Sequence, residues 1–531
     1  MSTSSRVIKN TGYLYAKMAI TVFISLYVTR LILESLGASD FGVFKIVGGA
    51  IALLGFLNTT LANATQRFMS YAEGEGVLEK KRKIFNVSIV LHVVIALITV
   101  ILLVIAMFPL FNGIFNIEPD RVPAAKIIYY SLIFSTVLTI INVPYDAVMN
   151  AHENMLYYSI IGIFEALLKL GIAFVCVHTT YDKLIVYGIL MACVPLITLT
   201  IMKIYCHRHY DECVIAPRRY WDASLVRQIS SFFGWNFLTA ISSLFSVQGI
   251  GIVLNHFFGT VLNAAQGIAN DVNASLSNFS GNMMKALNPV IVKKAGAGDI
   301  QAMNRATLAG CKFSALLTML FAIPLTIEMT YVLDLWLKDV PAWAVTFCTL
   351  QLVMTLITQM ADSASTAVYA QGDIKHYAIW KSIMNAMPVL LTWLAFHFGG
   401  SPIWLYIPMI VVWAIGGDIV IVWYAHQKCH LPVGAYLIQV LLPLCGTAIL
   451  MVLLGCIPSQ LMPTGFPRLL ITSLATTAAL LLSALLFAMT KEEKTQLLSL
   501  LKGGVSKVPR GSRGSRGSRG SRSSRGSRGR E

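Results

Sequence analysis

The sequence predicts an all-α membrane protein of fourteen transmembrane helices, built as two pseudo-symmetric six-helix lobes followed by two C-terminal helices. Three observations lead there: an apolar composition, a set of spanning segments that agrees with loop charge, and an internal repeat. Of 531 residues, 56% are hydrophobic and 12% charged, and the mean hydropathy is +0.69. Soluble domains carry about 25% charged residues. Lipid, rather than water, is the solvent that suits this chain.

A helix needs about 20 mostly apolar residues to cross a bilayer. In order, residues 12–36, 40–66, 84–111, 125–149, 155–178, 184–203, 229–255, 261–286, 306–330, 342–369, 376–398, 402–425, 435–457 and 467–490 provide them. The first is too long for the apolar core of a cleaved signal, and no small-residue cleavage site follows it. The second and eighth are the least apolar and carry polar stripes. The third ends before Glu118-Pro119-Asp120, an acidic run in a short loop that reads as solvated rather than catalytic. The fourth contains Asn142, Pro144 and Asp146. The fifth holds Glu165 and Lys169 at i,i+4, the favoured order for an internal pair. After the sixth come Cys206, His207, His209 and Cys213, whose spacing fits no common zinc finger. The tenth bears the stripe Gln351, Thr355, Thr358, Asp362 and Tyr369.

Charge tests this count. With the N-terminus inside and strict alternation, inside segments hold 29 Lys and Arg against 5 outside. Twelve of the 29 follow the last span, so 17 against 5 remain without them. Positive charge marks the cytoplasmic side, and both termini are expected there. The net charge of +16 includes +7 from the Arg-Gly-Ser run 510–531. A nucleic-acid partner is not expected; membrane lipids are. Nine cysteines, an odd number without a CxxC, argue against a disulfide framework. No P-loop is present, so ATP hydrolysis is not expected. No metal, catalytic residue or cofactor is expected either.

The chain also repeats. Leu36-Gly37 pairs with Phe258-Gly259, and Glu73-Gly74-Glu75-Gly76 with Ala295-Gly296-Ala297-Gly298, both 222 positions on. Ala151-His152-Glu153 falls on Ala370-Gln371-Gly372, and Val122-Pro123 on Val340-Pro341, at slightly shorter offsets. Six helices per repeat give lobes of parallel topology. The expected divisions are 1–225 and 226–430 for the lobes, 431–490 for the two extra helices, and 491–531 for a disordered basic tail.

Ionisable groups in a bilayer normally face protein or a wet cavity. On the eighth segment Gly267, Asp271, Ser275, Asn278, Asn282 and Lys285 fall within about 40° of one line. Lys45, Gly49, Phe56, Thr59, Asn63 and Arg67 share a face of the second. The expected result is one central cationic cavity holding Lys17, Lys45, Asn63, Arg67, Asn278, Asn282 and Lys285, suited to an anionic headgroup. Asp146, Asp271 and Asp362 are the candidate acids for carrying a proton or sodium ion.

Several stretches resemble a known family. They are Arg6-Val-Ile-Lys-Asn-Thr-Gly-Tyr-Leu-Tyr, Leu36-Gly-Ala-Ser-Asp-Phe-Gly-Val-Phe, Ala64-Thr-Gln-Arg-Phe, Asn142-Val-Pro-Tyr, Ala151-His-Glu and Ala264-Ala-Gln-Gly-Ile-Ala-Asn. Over about residues 5–490 the chain resembles the multidrug/oligosaccharidyl-lipid/polysaccharide (MOP) exporter superfamily, and within it the bacterial polysaccharide-flippase branch. That resemblance implies an inner-membrane, alternating-access flippase for undecaprenyl-pyrophosphate-linked oligosaccharide, serving lipopolysaccharide or O-antigen synthesis beside other polysaccharide-assembly proteins. The alternative is a cation-coupled exporter of small molecules with the same fold. A membrane glycosyltransferase or polymerase is the third reading, weakened by the short loops.

Overall fold

The computed structural model describes residues 3–52, 55–115, 117–337, 339–490 and 493–494. The expected disordered tail lies outside these residues, apart from its two residues 493 and 494. Among the described residues every regular element is helical. In chain order the spans are α1 (Arg6–Gly37), α2 (Ser39–Ile51 with Gly55–Glu75), α3 (Leu78–Ile114), α4 (Val122–Ala151), α5 (Met155–His178), α6 (Lys183–His209), α7 (Ala223–Phe258), α8 (Thr260–Gly296), α9 (Ile300–Ile327), α10 (Ala344–Gln359 with Asp362–Ala370), α11 (Lys375–His397), α12 (Pro402–Cys429), α13 (Val433–Leu461) and α14 (Phe466–Ala488).

Eleven of these are long and apolar enough to span as single helices. The bent pairs α2 (49°) and α10 (41°) raise the number to 13. The remaining helix, α8, has 37 residues and ample length, but its polar stripe lowers its hydropathy. Each expected segment thus falls on one helix. Large apolar side chains such as Phe23, Phe108, Leu390, Ile419, Leu453 and Leu485 are exposed on the outside of the bundle, as acyl chains require.

The boundaries repeat as backbone geometry. Gly37, between α1 and α2, has φ 75°, and Gly259, between α7 and α8, has φ 77°. Gly76 and Gly298, which follow α2 and α8, have φ 74° and 72°. Both pairs are 222 residues apart. A left-handed φ costs glycine little and other residues more, so the same residue recurs where the same turn recurs.

Packing joins α1 to α5, α4 to α6, α7 to α11, α8 to α9 and α13 to α14. In the middle, α2 runs against α8, α7 and α4. The last helix is fixed by charge. Arg468, in the first turn of α14, donates to the Glu328 carboxylate at 2.7 and 3.0 Å, and the Thr472 hydroxyl donates to its other oxygen at 3.0 Å. Glu328 follows the end of α9 and is 1% exposed.

Candidate functional site: the cleft between α2, α7, α8 and α10

The stripes on α2 and α8 change character along their length. Towards one end, Lys45, Gly49, Thr59 and Asn63 of α2 and Gly267, Asp271, Ser275 and Asn278 of α8 are exposed. Towards the other, which carries Lys80–Lys83 and Lys293–Lys294, the two helices close on each other. A Cβ at Gly74 would overlap the Lys293 carbonyl, and one at Gly296 would overlap the Tyr71 carbonyl. Residues 71 and 293, like 74 and 296, are 222 apart. The crossing is therefore locally two-fold, and glycine is needed on both sides because backbone meets backbone.

Ion pairs surround this crossing. Lys293 of α8 lies 3.5 Å from Glu73 and 3.6 Å from Glu153. Glu73 also pairs with Lys81 at 2.8 Å. His152 faces Glu73 at 3.6 Å and Glu212 at 2.5 Å. Burial alone would raise the Glu212 carboxyl, but the hydrogen bond and charge of His152 outweigh it and hold the group below its ordinary value. The ligand atoms of Glu73, His152 and Glu212 lie within 4.8 Å of one another. With two lysines already on Glu73, the arrangement is a salt-bridge cluster rather than a cation cage.

Just beyond the crossing is a cavity of about 280 Å³. Asn63, Gln66, Arg67 and Ser70 of α2 line it, with Phe232 and Asn236 of α7, Asn288, Pro289 and Val292 of α8, and Asp362, Ser365, Thr366 and Tyr369 of α10. Its wall is mostly amide and hydroxyl. Thr366 donates to Asn288 across the α8–α10 face at 3.0 Å. Asp362 opens the second half of α10, in the first turn after the break, where the helix N-terminus favours a negative charge.

Arg67 is on this wall but is not a free cation. Its Nε donates to the Tyr369 carbonyl at 3.2 Å and its Nη2 to the Ala370 carbonyl at 2.5 Å. These belong to the last turn of α10, whose carbonyls have no partners within the helix. The guanidinium also lies over Phe68 and Tyr71, at 4.5 and 4.9 Å from the ring centres, and Arg67 is 9% exposed.

The expected cationic cavity is not assembled. Lys285 donates to the Tyr158 hydroxyl at 2.5 Å and lies 3.8 Å from that ring centre. Lys17 sits over the same ring at 4.3 Å, its stem pressed on Gly162. Both have turned to α5, because tyrosine offers them an acceptor and a π-face. Asp146 accepts from Asn142 at 3.2 Å and lies within electrostatic reach of both lysines. Asn282 donates to the Asn278 carbonyl at 2.9 Å and faces Met18 of α1. Lys45 is exposed near Phe41, 5.1 Å from the ring centre. Asn278 and Asp271 are both exposed on the open stretch of α8. Asn63, Arg67 and Asp362 are brought together; Lys17, Lys45, Asn278, Asn282, Lys285, Asp146 and Asp271 are not on that wall. The Glu165–Lys169 pair is present at 2.7 Å.

Residues 15–175 match the MatE family model. The structure of a MATE protein in its bent conformation shares the fold at 13% identity, covering 81% of this chain and 96% of that one, with a TM-score of 0.66. An outward-facing multidrug-resistance MATE family transporter of the MOP superfamily shares it at 13% identity, covering 80% and 96%, with a TM-score of 0.63. The fold is that of the MATE transporters of the MOP superfamily. A MOP superfamily transporter from Pyrococcus furiosus, described as having a binding pocket of reversed polarity, also shares it at 13% identity, covering 82% and 99%, with a TM-score of 0.62. No curated protein matches the chain.

These findings correct the functional expectation. The lipid-linked oligosaccharide flippase reading is set aside, because the matching family model is MatE and the similar structures are MATE proteins. The MATE-type architecture explains the polar stripes as walls of a cleft without requiring a pyrophosphate cradle. The cations on which that cradle depended are committed elsewhere: Arg67 to α10, and Lys17 and Lys285 to Tyr158.

Proposed function

We propose that the chain is a MATE-like exporter of small molecules, driven by a cation gradient. The observation that carries this reading is the 280 Å³ cavity with Asp362 on its wall and the donors of Arg67 turned into α10. Ligand pockets for drug-sized molecules run from about 300 to 1,000 Å³, and this one, at about 280 Å³, falls just below that range in the described state. Its wall holds one carboxylate and one guanidinium, and the guanidinium donors are spent on the α10 carbonyls, so a neutral or cationic organic molecule fits better than a phosphate.

In this reading the lobes are 1–225 and 226–430, with 431–490 attached, and they rock so that the α2–α8 crossing opens and closes to alternate access. The lysine-rich end is cytoplasmic by the charge bias, which makes the described state closed to the cytoplasm. The test uses purified full-length protein in proteoliposomes. An imposed proton or sodium gradient is expected to drive transport of ethidium, and Asp362→Asn to slow its initial rate about tenfold, a loss of about 1.4 kcal/mol. Wild-type rates in Asp362→Asn, or no gradient-driven movement of ethidium, would overturn the reading.

A further inference from the structure

Asp362 has two charged neighbours that do not line the cavity, Lys381 and Asp418. Lys381 of α11 is within electrostatic reach of both Asp362 and Asp418 of α12. Each acid stands in the first turn of a helical segment that follows a distortion. Asp362 follows the 41° break in α10. Asp418 follows wide π-type turns over Met409–Gly416, a distortion often found at functional sites. The Lys381 ammonium is seated against Gly417, where an added Cβ would lie 2.7 Å from it. Among the described residues none of the three side chains is in a direct hydrogen bond or ion pair, so they form a cluster rather than a closed salt bridge.

Among the described residues, the other charged group lining the cavity beside Asp362 is Arg67, whose donors are engaged by the α10 carbonyls. The remaining titratable groups facing the acids are Tyr369 of α10, Tyr377 of α11, Cys311 of α9 and Tyr436 of α13. All are neutral near pH 7 by type. The tally of the cluster is one ammonium and two carboxylates, a net charge of minus one within the membrane. Such an imbalance is costly where water is scarce. One added monovalent cation removes it.

We propose that Asp362, Lys381 and Asp418 form the ion-coupling site, in which Lys381 is a tethered cation held where a sodium ion would otherwise sit, so that the exchangeable ion is a proton. The proton resides on a carboxylate oxygen, leaving one neutral acid and one carboxylate opposite the ammonium. Asp362 belongs to both this cluster and the cavity wall. Cargo binding beside its carboxylate and proton binding to the cluster therefore exclude each other, which is the requirement for antiport.

This inference rests on the exporter reading for the word coupling, but its test does not depend on cargo. Radiosodium binding is measured on purified full-length protein. The wild type is expected to show no saturable sodium site. Lys381→Gln, which leaves two carboxylates without their ammonium, is expected to bind sodium at least ~10-fold more tightly than wild type. Gly417→Ala keeps all three groups and only displaces the ammonium; it is expected to gain weaker sodium binding, and it carries the test if Lys381→Gln does not fold. Saturable sodium binding by the wild type that Asp418→Asn removes, or no gain in either variant, would overturn the tethered-cation assignment. Failure of ethidium transport with these binding results intact would overturn the exporter reading alone.

Discussion

Gly74→Val is expected to abolish transport while the protein still reaches the membrane. The side chain would meet the Lys293 carbonyl, a backbone atom that no rotamer change can move aside. The ends of α2 and α8 that meet at this crossing would have to separate. Overpacking of this kind costs about 1–3 kcal/mol and sometimes more. At the upper figure the closed state loses about 100-fold in population, and a transporter that cannot close one end does not alternate. Gly296→Val should behave alike, since it meets Tyr71 in the same way across the pseudo-two-fold. Gly49→Val is the control: it lies on α2 with open space around it and should transport normally. Spin-label distances between the crossing ends of α2 and α8 should lengthen in the first two variants only. Normal transport by Gly74→Val would mean that this crossing does not form in the cycle.

Arg468→Ala is expected to give the largest loss of stability. It leaves the Glu328 carboxylate buried with only the Thr472 hydroxyl as a partner. Removing one member of a buried pair costs about 3–5 kcal/mol, because the surviving charge remains desolvated. The double variant Glu328→Gln with Arg468→Ala should recover much of this, since no charge is stranded. Arg468→Lys should recover less, having no fork to bridge the contacts now made by Nε and Nη2. Thermal unfolding in detergent reads all three. A melting temperature for Arg468→Ala equal to wild type would show that α14 is held by its apolar face alone.

The helices themselves were legible because hydropathy is a property of each segment. Stretches of about 20 apolar residues specify spans whatever their neighbours. The stripe on α8 was legible for the same reason: a period of 3.6 belongs to one helix. It even continues three residues past Lys285 to Asn288, which does line the cavity, although the reading stopped short of it. The paired glycines at 37 and 259, and at 74 and 296, were visible as a repeat before they had a purpose.

Other residues gave only a faint signal. Lys381 and Asp418 stand alone in apolar runs on different helices. A lone intramembrane charge marks a site but does not name its partner. Met409–Gly416 carries no sequence sign of the wide turns that precede Asp418.

By itself the sequence determined the solvent, the number of spans, the repeat and the faces that must avoid lipid, since each follows from composition or spacing along one segment. The tertiary structure decided the charge of the cavity. Electrostatic character belongs to the side chains left uncommitted after packing, and Arg67, Lys17 and Lys285 were committed by a helix end and a tyrosine that only the folded chain brings within reach. That is why a sequence rich in intramembrane cations encloses a cavity lined by only one of them among the described residues, Arg67, whose donors already face a helix end.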